Sequence, residues 1–265
     1  MITFLLLRYV FSGFQYIMVV KKSISYFLFF LSIISCSVIF ISPQIANAIT
    51  DRDVVYQQRT NHNPDGIGKF YMGREIAHVM GHTGAMWLER PSREAEEQPS
   101  KIVNALNLKS DNVVADIGAG TGYLSFLIAP TLPQGKVLAV DVQPSMLDII
   151  KFFKSEKQIS NVEPVLATLK LPNLSENSID LAVMIDAYHE FEFPREMMEG
   201  IVKALKPGGR VALIEYRGEN PFIMIKALHK MTQKQVKKEM QAVGLTWQQT
   251  NNLLPQQHLM IFGKV

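Results

Sequence analysis

From residue 99 to the end, the chain alternates short apolar runs with amphipathic stretches of helical period, and this alternation fixes its fold class. The apolar runs are VVADI (113–117), KVLAVDV (136–142), VEPVLA (162–167), IDLAVMID (179–186) and GRVALIEY (209–216). Between them lie YLSFLIAPTL, PSMLDIIKFFKSE and PREMMEGIVKAL, with PSKIVNALNL ahead of the first run and TQKQVKKEMQAVG after the last. A strand that is apolar along its whole length has both faces covered, as happens when crossover helices pack on the two sides of a parallel sheet. The final runs, LTWQQTNNL (245–253) and HLMIFGKV (258–265), have no helix between them and are expected to pair as a hairpin across Pro255-Gln256-Gln257. The expected architecture is an α/β, doubly wound, mostly parallel seven-stranded sheet with a terminal antiparallel hairpin strand.

Residues 1–48 form a different kind of segment. They contain Arg8, Lys21 and Lys22 and no acid, then the uncharged run ISYFLFFLSIISCSVIFI (24–41), then Pro43 and the triplet Ala46-Asn47-Ala48. Basic, apolar and small-residue regions in that order read as a secretory signal peptide cleaved near Ala48-Ile49. An uncleaved membrane anchor is the rival reading, because about 18 apolar residues almost span a bilayer, and Ile33-Ile34-Ser35-Cys36 also fits a lipobox. Each version places the body of the chain outside the cytoplasm, since basic residues before an apolar segment keep that end inside. Membrane association is expected only through this segment.

The leader also accounts for the whole net charge of +3, leaving 24 basic and 24 acidic side chains in the remaining 217 residues. A balanced body lacks the surplus of Lys and Arg that neutralises phosphates, so nucleic acid is not an expected partner. Cys36 is the only cysteine, which excludes disulfides, thiolate nucleophiles and Cys-ligated zinc from residues 49–265.

Residues 49–98 begin irregularly, with a turn signal at Asn63-Pro64-Asp65-Gly66, and continue as short helical patterns broken by Gly81, Gly84 and Pro91. They are expected to form an N-terminal extension of small helices, acting as a lid with Arg74, Trp87, Arg90 and Arg93 or as a packed brace. His78 and His82 share a helix face in this reading, near Glu75, but HVMGH lacks the Glu of H-E-x-x-H, and no metal site is assigned.

In DIGAGTGY, Gly118, Gly120 and Gly122 stand between a buried strand and a helix start, where glycine lets a ligand approach the backbone closely. The dinucleotide fingerprint G-x-G-x-x-G needs a third glycine at position 123, which is Tyr123, and the Gly-Lys-Ser/Thr of a phosphate loop is absent. Asp141 ends the second strand, nineteen residues after Gly122, and a carboxylate there can accept hydrogen bonds from both ribose hydroxyls. Asp116 is placed to face a charged amine or to order the loop.

Taken together, DIGAGTG, VDVQPSML, SIDLAVMIDAYHEF and LKPGGRVALIEY resemble the class I S-adenosylmethionine-dependent methyltransferases over residues 99–265. The resemblance implies S-adenosyl-L-methionine as cofactor, with Asp116, Gly118, Gly120 and Gly122 around its methionine part, Asp141 at the ribose, and Asp186 bordering the methionine and the reacting centre. Where many members carry an acid for the adenine amine, this chain has Ala167-Thr168.

Methyl transfer is an in-line displacement, so the protein aligns the acceptor and, where needed, removes a proton. His189 and Glu190 follow the fourth strand and are the candidate catalytic pair, His189 as general base. The alternative is that they shape the pocket or cap the next helix. His229 falls where family members often build acceptor contacts. The expected function is methyl transfer to a small-molecule or membrane-associated acceptor. An exported module that binds the cofactor without chemistry and a nicotinamide-dependent oxidoreductase are the other readings.

Overall fold

The computed structural model describes residues 55–264; the leader and its proposed cleavage site lie outside the described residues. Seven strands form the main sheet: β4 (Val113–Ile117), β5 (Lys136–Asp141), β6 (Val162–Leu166), β7 (Ile179–Ile185), β8 (Leu205–Tyr216), β9 (Leu245–Asn251) and β10 (Gln257–Lys264). Their order is β6-β5-β4-β7-β8-β10-β9. The sheet is parallel from β6 to β8, and β10 runs antiparallel to both β8 and β9. A hairpin partner has to run antiparallel, so β10, which follows β9 after a short loop, is the strand that enters the sheet reversed. Strand β8 begins at Leu205, four residues before the run expected from the sequence, because Leu205 already pairs with Ile179.

Period-2 geometry turns each central strand into two half-cores. In β7, Leu181 and Val183 join one buried cluster while Ala182 and Met184 join the other. The same split divides Val211 and Leu213 from Ala212 and Ile214 in β8, and Met260 and Phe262 from Leu259 and Ile261 in β10. Helices cover both faces. They are α1 (Ala85–Leu88), α2 (Arg93–Glu96), α3 (Pro99–Ala105), α4 (Tyr123–Ile128), α5 (Pro144–Glu156), α6 (Pro194–Ala204) and α7 (Gln233–Ala242). Among the described residues, no helix is long and apolar enough to cross a membrane.

The N-terminal extension corrects the all-helical expectation. It opens with an antiparallel meander of β1 (Tyr56–Gln58), β2 (Gly66–Tyr71) and β3 (Arg74–Ala77), and only then passes into the short helices. Met72-Gly73, both at positive φ, make the tight β2–β3 turn, and Tyr71, Ile76 and Ala77 bury their side chains. His78 and His82 therefore do not share a helix face, since β3 ends at Ala77 and a single 3₁₀ turn starts at His82. The meander is fastened to the helical layer by Arg74, whose Nε donates to Glu239 of α7 at 2.7 Å, and by an edge-to-face contact of Tyr56 with Phe193 just before α6.

Candidate active site

A cavity of about 570 Å³ opens at the carboxyl ends of β4, β5 and β7, where crossover helices leave on opposite faces and the strand ends are free. The glycine loop forms part of its wall through Gly118 and Gly120, at φ of 72° and 55°. A Cβ on Gly118 would lie 2.7 Å from the Ala187 Cβ, and one on Gly120 would lie 2.7 Å from Leu88 Cδ1. The loop is thus held close against two neighbours, and side chains at these positions would fill the approach. Gly122 starts α4 and is not among the cavity-lining residues.

Asp141 lines the cavity at the tip of β5. Its Oδ2 accepts from Gly120 N and its Oδ1 from Gln143 N, both at 2.9 Å, so the carboxylate fixes the loop and keeps one further lone pair per oxygen for a ligand hydroxyl. Burial raises its pKa. Asp116 is not a lining residue; it stands behind the loop and accepts from Ser125 Oγ at 2.7 Å, tying β4 to α4. Burial pushes its carboxyl up to about 6.

Asp186 ends β7 with a left-handed φ of 49°. Its Oδ2 accepts from Gln257 Nε2, but its buried Oδ1 has no hydrogen-bond partner. Burial first, and the nearby Glu215 carboxyl second, hold its pKa well above the usual range. A strained residue with an orphaned buried oxygen at a cavity wall is the signature of a ligand contact. The ligand that relieves it carries a donor or a positive charge.

Just after Asp186 a 3₁₀ turn, Tyr188–Glu190, presents His189 and Glu190 to the same cavity. His189 Nδ1 lies 2.7 Å from Glu215 Oε2, and the other oxygen of Glu215 accepts from His189 N at 3.3 Å. Arg74 Nη1 donates to the His189 carbonyl, and Tyr188 Oη donates to Glu239, so the turn is gripped on three sides. His189 Nε2 is 3.0 Å from His229 Nδ1. Burial lowers both imidazoles to about 4, and each is neutral at pH 7. Glu190, raised by burial to about 7, accepts from Met80 N at 3.2 Å.

The segment after β3 forms the third wall. Trp87, Leu88, Arg90, Arg93 and Glu97 line the cavity, and Glu97 takes hydrogen bonds from Arg90, Arg93 and Tyr216 Oη. Arg74, which the sequence placed with this group, is instead buried beneath the His189 turn. Near the expected adenine position Ala167 and Leu169 line the cavity, whereas Thr168 is exposed and its Oγ1 accepts from Lys170 N and Leu171 N. Glu215, Glu97 and Tyr216 were not singled out from the sequence. A lone acid inside the apolar run VALIEY was the available signal for Glu215, because a buried carboxylate needs a partner.

A family model described as "Methyltransferase domain" matches residues 108–258, more than half of the chain. The chain belongs to this methyltransferase family. Among curated relatives, it is 30% identical over 122 residues to the mitochondrial 2-methoxy-6-polyprenyl-1,4-benzoquinol methylase of Caenorhabditis elegans, covering 44% of this chain and 42% of that protein. It is 25% identical over 123 residues to the uncharacterized methyltransferase YcgJ of Bacillus subtilis, covering 46% and 48%. The match spans less than half the length of these relatives. A methyltransferase structure from Aquifex aeolicus shares the fold, with a TM-score of 0.67 at 21% identity, covering 71% of this chain and all of that one. Membership implies S-adenosylmethionine as cofactor, and the site suits it: a cation meets the cavity-lining carboxyls of Asp141 and Asp186, and its carboxylate has Arg90 and Arg93 in the same wall.

Proposed function

We propose that this chain transfers a methyl group from S-adenosylmethionine to a small-molecule or membrane-associated acceptor held at the His189–Glu190 end of the cavity. When bound, the cofactor supplies an electrophilic methyl group. Gly118 and Gly120 leave room for it, Asp141 accepts from its ribose, and Asp186 meets its positively charged amino-acid end. Trp87 and Leu88 exclude water from the same space. The observation that carries this reading is that Asp186, whose buried Oδ1 has no partner, lines one cavity with both the glycine loop and His189.

His189 is supported for the acceptor side because Glu215 orients its ring from behind while Nε2 is left toward the cavity groups Glu190 and His229. With donor and acceptor both bound, its neutral ring can take a proton from an acceptor hydroxyl or amine as the methyl transfers. Tritiated methyl transfer to an acceptor panel tests the assignment. His189→Ala is expected to lose about 10²-fold or more in transfer while cofactor affinity changes less than threefold, in line with the size of general-base effects. Equal loss of binding and transfer would move His189 out of the acceptor role.

Export through the leader is proposed on the charge order and apolar length of residues 1–48. Cell fractionation with N-terminal sequencing tests it.

A further inference from the structure

His189, Glu190 and His229 converge more tightly than acceptor contacts require. His189 Nε2, His229 Nδ1 and Glu190 Oε1 are separated by 3.0, 3.6 and 3.8 Å. The triangle with those sides has its centre about 2.0 Å from each corner, the length of a zinc–nitrogen or zinc–oxygen bond. We propose that these three side chains form a binding site for a divalent transition-metal ion, zinc by ligand type, at the acceptor end of the cavity.

Five observations carry the assignment. The donor set is two imidazoles and one carboxylate, the composition of zinc sites that keep an open coordination position. The donors come from two unrelated segments, the 3₁₀ turn after β7 and a second 3₁₀ turn at Ala227–His229, so no helical register forces them together. The carboxylate–histidine pairing that orients metal-bound imidazoles is present: Glu215, fully buried, is 2.7 Å from Nδ1 of His189 and leaves Nε2 to the ion. Glu190 is likewise steadied, since its Oε2 accepts from Met80 N while Oε1 faces the histidines. All three ligands line the cavity, so the open position faces the acceptor space, and Asp65 and His78 line the same region.

The role follows from the function proposed above and rests on it. An acceptor hydroxyl occupying the open position would release its proton to solvent and stay on the ion as an oxyanion beside the methyl donor; that oxygen would bond the methyl carbon as the carbon–sulfur bond breaks, and S-adenosylhomocysteine would leave. His189 would then orient the acceptor through the ion rather than take the proton itself.

The test is calorimetric titration of Zn²⁺ into the purified chain after chelator treatment, repeated with Co²⁺ so that visible absorption reports nitrogen and oxygen ligation. One equivalent is expected, with affinity reduced at least 100-fold in His229→Gln and Glu190→Gln and 10- to 100-fold in Glu215→Gln. His229 is partly exposed on its short turn, so His229→Gln is expected to keep the thermal midpoint of the metal-free protein and report ligation alone. Absence of stoichiometric binding, or unchanged affinity in a folded His229→Gln, overturns the site and leaves a hydrogen-bonded His–His–Glu relay. Titration of S-adenosylmethionine into the same variants separates the two ideas. Intact cofactor binding without metal binding sinks only the metal site, and intact metal binding without cofactor binding sinks only the methyl-donor reading.

Discussion

Asp186 bears two costs at once, a left-handed backbone of the kind that costs on the order of 1–3 kcal/mol and a buried oxygen without a partner. Both fall on one cavity-lining residue, which is why Asp186, more than the glycines, marks the candidate site. Asp116 makes a different contribution. Its folded pKa is raised to about 6, so the stability it contributes is fully present below the ordinary carboxyl range and is lost as pH rises through 6. Asp116→Asn removes that loss. Relative to the wild type, the variant should gain on the order of 2–3 kcal/mol between pH 4 and pH 7 in urea unfolding of the cofactor-free protein. A flat difference across that range would contradict the buried-carboxyl account. The glycines, Asp141, Asp186, His189 and Glu190 were legible because they sit at strand ends, where an apolar run stops and a polar residue needs a reason. His229 joined His189 only in space, since forty residues separate them, and Asp116 was legible as a loop residue but not as one placed behind the loop.

Among the elements, the glycine loop and the Ala85–Glu96 segment work as facing walls. Gly118→Ala brings a Cβ to 2.7 Å from the Ala187 Cβ, a rigid neighbour, at a φ that alanine disfavours. It should cost about 1–3 kcal/mol in stability and at least tenfold in cofactor affinity, measured by thermal unfolding and calorimetry. The opposite wall depends on Glu97, 4% exposed and shared by Arg90, Arg93 and Tyr216. Glu97→Gln leaves the Arg93 guanidinium short of its counter-charge, while Arg90 keeps Glu96. About 3 kcal/mol of destabilisation is expected, together with faster proteolytic cutting between residues 78 and 97. Undiminished resistance to protease would show that the wall is held by something other than this cluster. The main sheet could be read from its apolar runs because burial on both faces leaves one solution. The β1–β3 meander could not, because its strands are short and its polar residues, Arg74 and Glu75, pair with groups distant in the chain or across the turn.

For the whole molecule, we propose export on the neutral body behind a basic, apolar leader, with a mature chain that begins at Ile49. N-terminal sequencing of an extracytoplasmic fraction checks this; an intact leader on cytoplasmic protein would refute it. The family and the sheet agree on the methyl donor, and the proposed division of the cavity gives donor and acceptor to different residues. Calorimetric titration of S-adenosylmethionine into the purified chain, beside Asp141→Asn, tests that account most directly. The account predicts one molecule bound per chain, and a dissociation constant at least tenfold higher in the variant, because a charge-assisted bond to the ribose is worth about 1.5 kcal/mol or more. Absence of binding, or equal affinity in the two proteins, would contradict it.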